Sequence, residues 1–192
     1  MVKVTTDISN VKIWEDSLDD RFLLDLDEES NIYPWKLNNI ANRYSFPYGS
    51  KGTHLLWGAG FDHTKKEEVP KNFKELYNFL NKNFLKNKYT LTAIQLNAQS
   101  QGQEGTAHID GMYGDNKYTL MVFINYKWEK EWGGEFQFVD TIGNTDFNIL
   151  KSIDYKPGKV ILFNGNIPHR GLSPNVPYVV RKSLVYRLEK NS

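Results

Sequence analysis

The chain has 192 residues with 24 basic and 23 acidic side chains, a formal net charge of +1. This length suffices for the core of one domain, which we predict over residues 1–192, and the balanced charge argues against a nucleic-acid or membrane-surface partner. The absence of cysteine excludes disulfides, thiolate nucleophiles and zinc fingers.

The N-terminal stretch "MVKVTTDISNVKIWEDSL" contains acidic side chains and has no apolar centre, which is unlike a signal peptide. The longest apolar runs, such as "LMVFI" at 120–124, are far too short to span a bilayer. We therefore expect no membrane partner and a cytoplasmic location.

Two amphipathic helices are predicted in the first half of the chain. The first covers residues 17–29, with Ser17 as the N-cap and an apolar stripe of Leu18, Phe22 and Leu26. The second covers residues 70–85 and begins with Pro70, which suits a helix start. The stretch between them, 30–69, is rich in aromatic residues, Gly and Asn, and predicts loops and short strands.

From Tyr89 onward the sequence changes to short β-forming runs separated by turn residues. The candidate strands are 89–97, 105–110, 118–126, 134–139, 147–154, 158–164, 168–172 and 178–188. Such a series without intervening helices predicts a mainly β fold, a double-stranded β-helix (jelly roll, cupin-like). We expect residues 89–188 to form its core and residues 1–88 to supply the supporting helices and loops.

His108 and Asp110 lie two residues apart, so on an extended chain their side chains point to the same side. The next histidine, His169, follows an apolar strand and a bend. Two imidazoles and one carboxylate form the facial triad of non-haem Fe(II) oxygenases, although zinc can use the same three ligands. His54 and His63 lack such a context, and we interpret them as surface or capping residues.

The last predicted strand, "YVVRKSLVYRLEK", carries a second candidate site. Alternation places Arg181, Ser183 and Arg187 on one face and Lys182 on the other. An arginine and a serine that share a face can bind a carboxylate, and a buried arginine is costly without an anion. For Arg187, a solvated strand end and an inward position both stay open.

The order of these motifs along the chain resembles that of the 2-oxoglutarate/Fe(II)-dependent dioxygenases, in particular the prolyl 4-hydroxylase-like branch. The motifs are H-x-D, the distal histidine and R-x-S. The similar stretch runs from about Gln95 to Leu188. It includes a W-x3-W-G-G-E element at 128–135, which resembles the W…GGE of that family. The N-terminal half shows no such similarity.

This resemblance implies Fe(II), 2-oxoglutarate and dioxygen as reactants, with ascorbate as an accessory reductant. It implies the following contacts: His108, Asp110 and His169 on iron, Arg181 and Ser183 on the distal carboxylate of 2-oxoglutarate, and Asn97 with Tyr118 or Thr119 on the co-substrate. Lys182 is the alternative to Arg181, and strand parity with Ser183 favours Arg181. The intact Asp110 implies hydroxylation, because halogenating relatives carry a small residue there.

The resemblance implies a prolyl residue in a peptide or protein as the substrate. The runner-up is AlkB-like oxidative dealkylation of nucleic acid, because Arg181 and Arg187 give a similar R-x5-R spacing, although the balanced charge argues against it. A metal-containing jelly roll that binds a sugar or acid without turnover leaves Arg181, Ser183 and the GGE element unexplained. A capsid-type structural jelly roll has no need for the His-Asp-His triad.

We expect three segments to border the substrate mouth: residues 111–117, residues 171–178 and part of the aromatic region 31–60. Their rings would come from Tyr113, Tyr178 and Trp35 or Trp57. Aromatic faces and loop backbone suit an extended peptide that carries a proline.

Overall fold

Two antiparallel sheets and two helices form the fold in the computed structural model, which describes residues 7–39, 56–61, 64, 68–112, 115–142 and 147–191. The helices are α1 (Asp20–Asn31) and α2 (Lys71–Leu80), the latter continued by a π-helical turn at Asn81–Leu85. The strands are β1 (Lys12–Trp14), β2 (Lys36–Asn39), β3 (Leu56–Phe61), β4 (Tyr89–Gln99), β5 (Lys117–Phe123), β6 (Phe136–Val139), β7 (Ile149–Ile153), β8 (Val160–Asn164), β9 (His169–Gly171) and β10 (Arg181–Lys190).

The larger sheet has seven strands in the order β1-β8-β5-β10-β4-β3-β2, and the smaller one has three in the order β7-β6-β9. Between the sheets lies a core that includes Met121, Phe123, Phe138, Phe163 and Val185. The opposite face of the larger sheet packs against the helices through a second core that includes Leu26, Phe73, Leu76, Leu96, Leu184 and Tyr186. The mainly β prediction, with helices outside one sheet, is confirmed.

Strands β4 to β10 each correspond to a predicted strand. The prediction for residues 105–110 is wrong, because that segment pairs with β9 only through an isolated bridge between His108 and His169. Its backbone N–H groups donate to carbonyl oxygens in different parts of the chain. The N–H of Gly105 donates to Gly171 O, whereas the N–H of Asp110 donates to Gly165 O. A segment whose hydrogen bonds are divided in this way cannot form a continuous ladder.

Helix α1 begins three residues later than predicted, and its N-cap is Asp19 rather than Ser17. The carboxylate of Asp19 accepts a hydrogen bond of 2.9 Å from the backbone N–H of Phe22. Both residue types favour this position, so composition alone does not distinguish them. Helix α2 follows Pro70 as predicted. No helix in the described parts of the chain is long and apolar enough to cross a membrane.

The region predicted to supply helices and loops also contributes β1, β2 and β3 to the larger sheet. Strand β3 pairs with β4, and β2 pairs with β3, so the sheet extends beyond the last strand of the predicted core. The N-terminal half of the chain therefore widens the larger sheet as well as covering one of its faces.

A buried ion pair fastens α1 to β10. The ammonium group of Lys182 contacts the carboxylate of Asp27 and donates hydrogen bonds to Ser30 Oγ at 2.9 Å and to Asn31 Oδ1 at 2.8 Å. Lys182 is 6% exposed, so its charge depends on these partners for the solvation that water would otherwise provide.

We expect the substitution Lys182→Met to lower the free energy of unfolding by about 3 kcal/mol, because it leaves the carboxylate of Asp27 without its cation. Lys190→Met, at the exposed end of the same strand, is the matched control and should change stability little. Urea denaturation measures the free energy of unfolding of both variants. Equal stability of the two would show that the buried pair contributes nothing net.

Candidate metal and co-substrate site

A reciprocal pair of backbone hydrogen bonds brings the two candidate histidine ligands together. His108 N donates to His169 O at 3.0 Å, and His169 N donates to His108 O at 2.9 Å. The imidazole centroids consequently lie 4.3 Å apart. This bridge between β9 and the segment before Asp110 therefore places two histidines that are far apart in sequence side by side.

Each imidazole is oriented by a backbone carbonyl. His108 Nδ1 lies 2.9 Å from Thr106 O, and His169 Nδ1 lies 2.7 Å from Ile167 O. Because a carbonyl oxygen only accepts, Nδ1 is the donor in both hydrogen bonds, which leaves Nε2 as the ring nitrogen that can bind a metal. This is the arrangement that fixes a histidine for metal binding.

The carboxylate of Asp110 completes the cluster. Its Oδ2 accepts a hydrogen bond of 2.6 Å from Thr119 Oγ1 and also contacts the Arg187 guanidinium. Its Oδ1 lies 3.5 Å from His108 Nε2, while Oδ2 lies 3.4 Å from His169 Nε2. One ligand atom from each residue lies within 4.8 Å of the others, a spacing that fits a single metal ion.

The electrostatics of the cluster favour the protonation states that a metal needs. Burial raises the pKa of Asp110, but the charge of Arg187, together with His169 and His108, lowers that pKa well below its ordinary value. Burial lowers the pKa of His169, against the opposing effect of Asp110. At neutral pH the carboxylate is therefore charged and the buried imidazole neutral, as metal ligands require.

The cluster lies in a cavity of about 210 Å³ between the two sheets, hereafter the catalytic cavity. Its lining includes most of the predicted site residues: Asn97, His108, Asp110, His169, Arg181 and Ser183. Along β10 the alternation is as predicted, with Arg181 and Ser183 facing the cavity and Lys182 facing α1.

Tyr118 is placed differently from its prediction. Its ring lies on the helix-facing side of β5, 5.1 Å from the ring of Tyr89 in a T-shaped contact, and it does not line the catalytic cavity. Thr119, one residue further along the strand, points into the cavity instead. Neighbouring residues on a strand face opposite sides, so only one of the two alternatives could reach the cavity.

Arg181 is 2% exposed and held at the cavity wall by two hydrogen bonds. Nε donates to Gly134 O at 2.7 Å, and Nη1 donates to Gln99 Oε1 at 3.1 Å. Nη2 is buried without a hydrogen-bond partner among the described residues. Burial lowers the pKa of Arg181 to about 10, so the guanidinium stays charged at neutral pH. An unpaired donor on a buried cation suits the carboxylate of a small organic acid.

The W-x3-W-G-G-E element shapes the wall behind Arg181. Gly134 has a left-handed backbone (φ +81°), and a Cβ there would lie 3.0 Å from the Trp128 ring and 3.3 Å from the Arg181 side chain. Trp128 donates from Nε1 to Gly133 O at 2.9 Å and packs on Tyr155. The tryptophan and the glycine therefore position the guanidinium.

Three further polar side chains line the catalytic cavity: Gln95, Gln99 and Arg187. The sequence pattern could have identified two of them, Gln95 and Gln99. Gln95 and Gln99 lie two positions on either side of Asn97, so strand alternation places all three on one face. Arg187, whose orientation the sequence left open, faces inward and contacts Asp110.

Among the described residues, none of the predicted aromatic border residues lines the catalytic cavity. Trp35 and Trp57 line a separate depression on the helix-facing side, beside Lys182, because Trp57 has the opposite strand parity to the cavity residues. Tyr178 is 73% exposed, and its ring lies 6.2 Å from that of Trp132. The predictions for Tyr113, His54 and His63 fall outside the described residues.

Comparison with solved structures shows the same fold in three prolyl hydroxylases. A Pseudomonas putida prolyl-4-hydroxylase shares 13% identity over 95% of this chain and 93% of its own, with a TM-score of 0.58. The viral collagen prolyl hydroxylase of Paramecium Bursaria Chlorella virus-1, in a 2OG complex, shares 19% over 96% and 98%, with a TM-score of 0.57. A Trichoplax adhaerens prolyl hydroxylase, in complex with a hypoxia inducible factor oxygen degradation domain peptide fragment, shares 13% over 95% and 84%, with a TM-score of 0.66.

A search of curated proteins gives no match. The model of the 2OG-Fe(II) oxygenase superfamily, in contrast, matches residues 94–186. This segment holds the His-Asp-His cluster together with Arg181 and Ser183. The family prediction is confirmed over this segment, which matches the 2OG-Fe(II) oxygenase superfamily, whose reactants are Fe(II), 2-oxoglutarate and dioxygen.

Proposed function

We propose that this enzyme hydroxylates a prolyl residue in a peptide or protein. The observation that carries the oxygenase part is the unpaired Nη2 of Arg181 in the same cavity as the His-Asp-His cluster. The prolyl part is supported by the shared fold with prolyl hydroxylases, one of them holding a peptide.

In this proposal His108 Nε2, Asp110 Oδ1 and His169 Nε2 hold the metal. Fe(II) held by two imidazoles and a carboxylate supplies the activation of dioxygen, with oxidation of 2-oxoglutarate and of a substrate C–H bond. The backbone carbonyls behind the histidines keep both Nε2 atoms aimed at one point. Thr119 and Arg187 hold Oδ2 of Asp110, which leaves Oδ1 as the ligand atom.

Arg181 and Ser183 bind the distal carboxylate of 2-oxoglutarate in the proposed complex. Nη2 of Arg181 donates the hydrogen bond that it lacks in the free protein, and the neighbouring hydroxyl of Ser183 adds a second donor. Asn97 and Gln99, on the adjacent strand β4, supply further polar groups along the same wall. Met121, Phe136 and Phe163 line the remainder of the cavity and exclude water.

The charges near the expected mouth support a peptide rather than a polyanion. Residues 171–178 form "GLSPNVPY", which carries no charged side chain. Nucleic-acid sites use several lysines and arginines to neutralise phosphates. Tyr178 lies exposed on this loop, and its ring can pack on a pyrrolidine.

Oxidative dealkylation of nucleic acid is the second candidate, favoured by one observation. Arg187 faces the cavity, so Arg181 and Arg187 project from the same face of β10 with the R-x5-R spacing that resembles AlkB-type enzymes. In this chain, however, Arg187 is engaged by Asp110 and donates to Thr119 Oγ1 at 2.8 Å, so its charge is already compensated.

A direct assay separates the two candidates. Enzyme supplied with Fe(II), 2-oxoglutarate and ascorbate should add one oxygen atom to proline-containing peptides, as measured by mass spectrometry. Peptides with alanine in place of proline are the control. Succinate release and formaldehyde production with N-methylated oligonucleotides, without any mass gain in peptides, would contradict the prolyl proposal. Comparing reactions with and without ascorbate tests its role as a reductant.

Arg181→Ala should raise the apparent KM for 2-oxoglutarate by about thirtyfold to several thousandfold, because a buried charge-assisted contact contributes roughly 2–5 kcal/mol. Succinate release at varied 2-oxoglutarate measures the effect. The matched control is Lys182→Met, which removes the neighbouring cation on the opposite face and should leave this KM unchanged in folded protein. A larger effect from Lys182 than from Arg181 would overturn the assignment.

Thr119→Val should weaken Fe(II) binding by about 10- to 100-fold, since it removes a hydrogen bond that orients the ligand carboxylate. Anaerobic titration with Fe(II) measures the affinity. Tyr118→Phe alters the adjacent residue on the opposite face and should have no effect on it. If both variants bound Fe(II) as tightly as the wild type, the proposed role of Thr119 would be wrong.

A further inference from the structure

We propose that the main chain of the substrate peptide lies extended in a groove floored by Gly58 and Gly60, beside the catalytic cavity. This inference rests on the proposed function and names the surface that binds the residues next to the reacting one. The groove, hereafter the glycine groove, has a volume of about 380 Å³. Gln95 and Asn97 line both it and the catalytic cavity, so the two spaces are contiguous along β4.

Strand register places the two glycines on the face of the sheet that carries the metal cluster. Gly58 pairs with Asn97, and Gly60 pairs with Gln95, in the antiparallel ladder of β3 and β4. Directly paired residues point to the same side of a sheet. Lys36 of β2 pairs with Gly58 and continues the same row to the outer strand.

Neither backbone conformation nor packing explains the glycine at position 60. Its φ lies outside the left-handed region, so other residues could adopt its conformation. A Cβ at Gly60 would meet no atom of the described residues within 4 Å, so a side chain there would not clash with that part of the protein. Glycine in a strand also costs stability relative to a β-branched residue. Since the described residues give no packing reason for glycine here, its position fits the close approach of another main chain.

The groove's chemistry selects a peptide as that chain. The row of carboxamides at Gln95 and Asn97 consists of neutral hydrogen-bonding groups, the kind that matches a peptide main chain. Pro34, next to the start of β2, lines the groove and adds an apolar contact. Lys36 is the one charged residue among the described lining residues, which is too few for a nucleic-acid backbone and favours a neutral or acidic peptide.

Gln95 also connects the groove to the metal cluster. Its Oε1 lies 3.4 Å from both Nε and Nη2 of Arg187, and Arg187 in turn contacts Asp110. A peptide that contacts Gln95 therefore lies two side chains away from a ligand carboxylate. This short chain of contacts places the bound main chain near the reacting centre.

The absence of native cysteine allows a site-specific test. Gly60→Cys introduces a single thiol in the groove, and Lys82→Cys introduces one at an exposed position at the end of α2 as the matched control. The rate of modification by a thiol reagent is measured under anaerobic conditions with Fe(II) and 2-oxoglutarate. The probe is a pool of eight-residue peptides with a central proline. We expect the pool to slow modification of the thiol in the groove at least about fivefold and to leave the control thiol unaffected.

Turnover of the same peptide pool by the wild-type enzyme separates this inference from the proposed function. Hydroxylation together with protection supports both. Hydroxylation without protection overturns the glycine groove as the binding surface. Protection without hydroxylation overturns the prolyl function and keeps the groove as a peptide site. If neither occurs, both proposals are wrong.

A substitution that fills the groove gives an independent measurement. Gly60→Val should raise the KM for peptide about tenfold or more, because the added methyl groups occupy space that the main chain needs. The thermal unfolding midpoint should equal or exceed that of the wild type, because valine favours a strand over glycine. An unchanged peptide KM in a stable Gly60→Val protein would overturn the inference.

Discussion

The alternation of side chains along β10 is the constraint on which the rest of the structure depends. The strand lies between two cores, so each residue belongs either to the catalytic cavity or to the helix-facing core. Arg181 and Ser183 point inward, whereas Lys182 and Tyr186 point toward the helices. A shift of one residue in register would exchange these sets and bury the wrong charges on both sides. The ion pair of Lys182 with Asp27 and the hydrogen bond from Tyr186 to Phe73 O both favour the register in which Arg181 faces the cavity.

The balance of charge inside the catalytic cavity explains why the site suits an acid and a metal together. The described residues place two cations, Arg181 and Arg187, beside one carboxylate, Asp110. Asp110 compensates Arg187 through direct contact, and Arg181 has only neutral hydrogen-bond acceptors, Gly134 O and Gln99. A dicarboxylate neutralises the remaining cation at one end, while a divalent ion joins the carboxylate at the other. Each ligand thus reduces an electrostatic cost that the folded chain carries alone.

Part of the site was predictable because its residues follow strand parity: R-x-S depends on a period of two, which can be read from the sequence. The roles of H-x-D and the distal histidine followed from the family resemblance. The choice between Tyr118 and Thr119 was not predictable, because the phase of β5 depends on its pairing with β10 and β8. The strand prediction for residues 105–110 was wrong for a related reason. Its composition is that of a strand, but its hydrogen bonds are divided among separate acceptors, and only tertiary structure reveals those.

The residues that the sequence did not locate share a dependence on long-range pairing. Trp57 was expected at the mouth of the substrate site, but its pairing with Ala98 places its side chain on the helix-facing side of the sheet. The same ladder turns Gly58 and Gly60 to the cavity side, where the row of carboxamides on β4 continues. Strand β3 thus presents a bulky ring to one face and bare backbone to the other. A strand built in this way supports a packed core beneath it and leaves open the surface above it, next to the metal cluster.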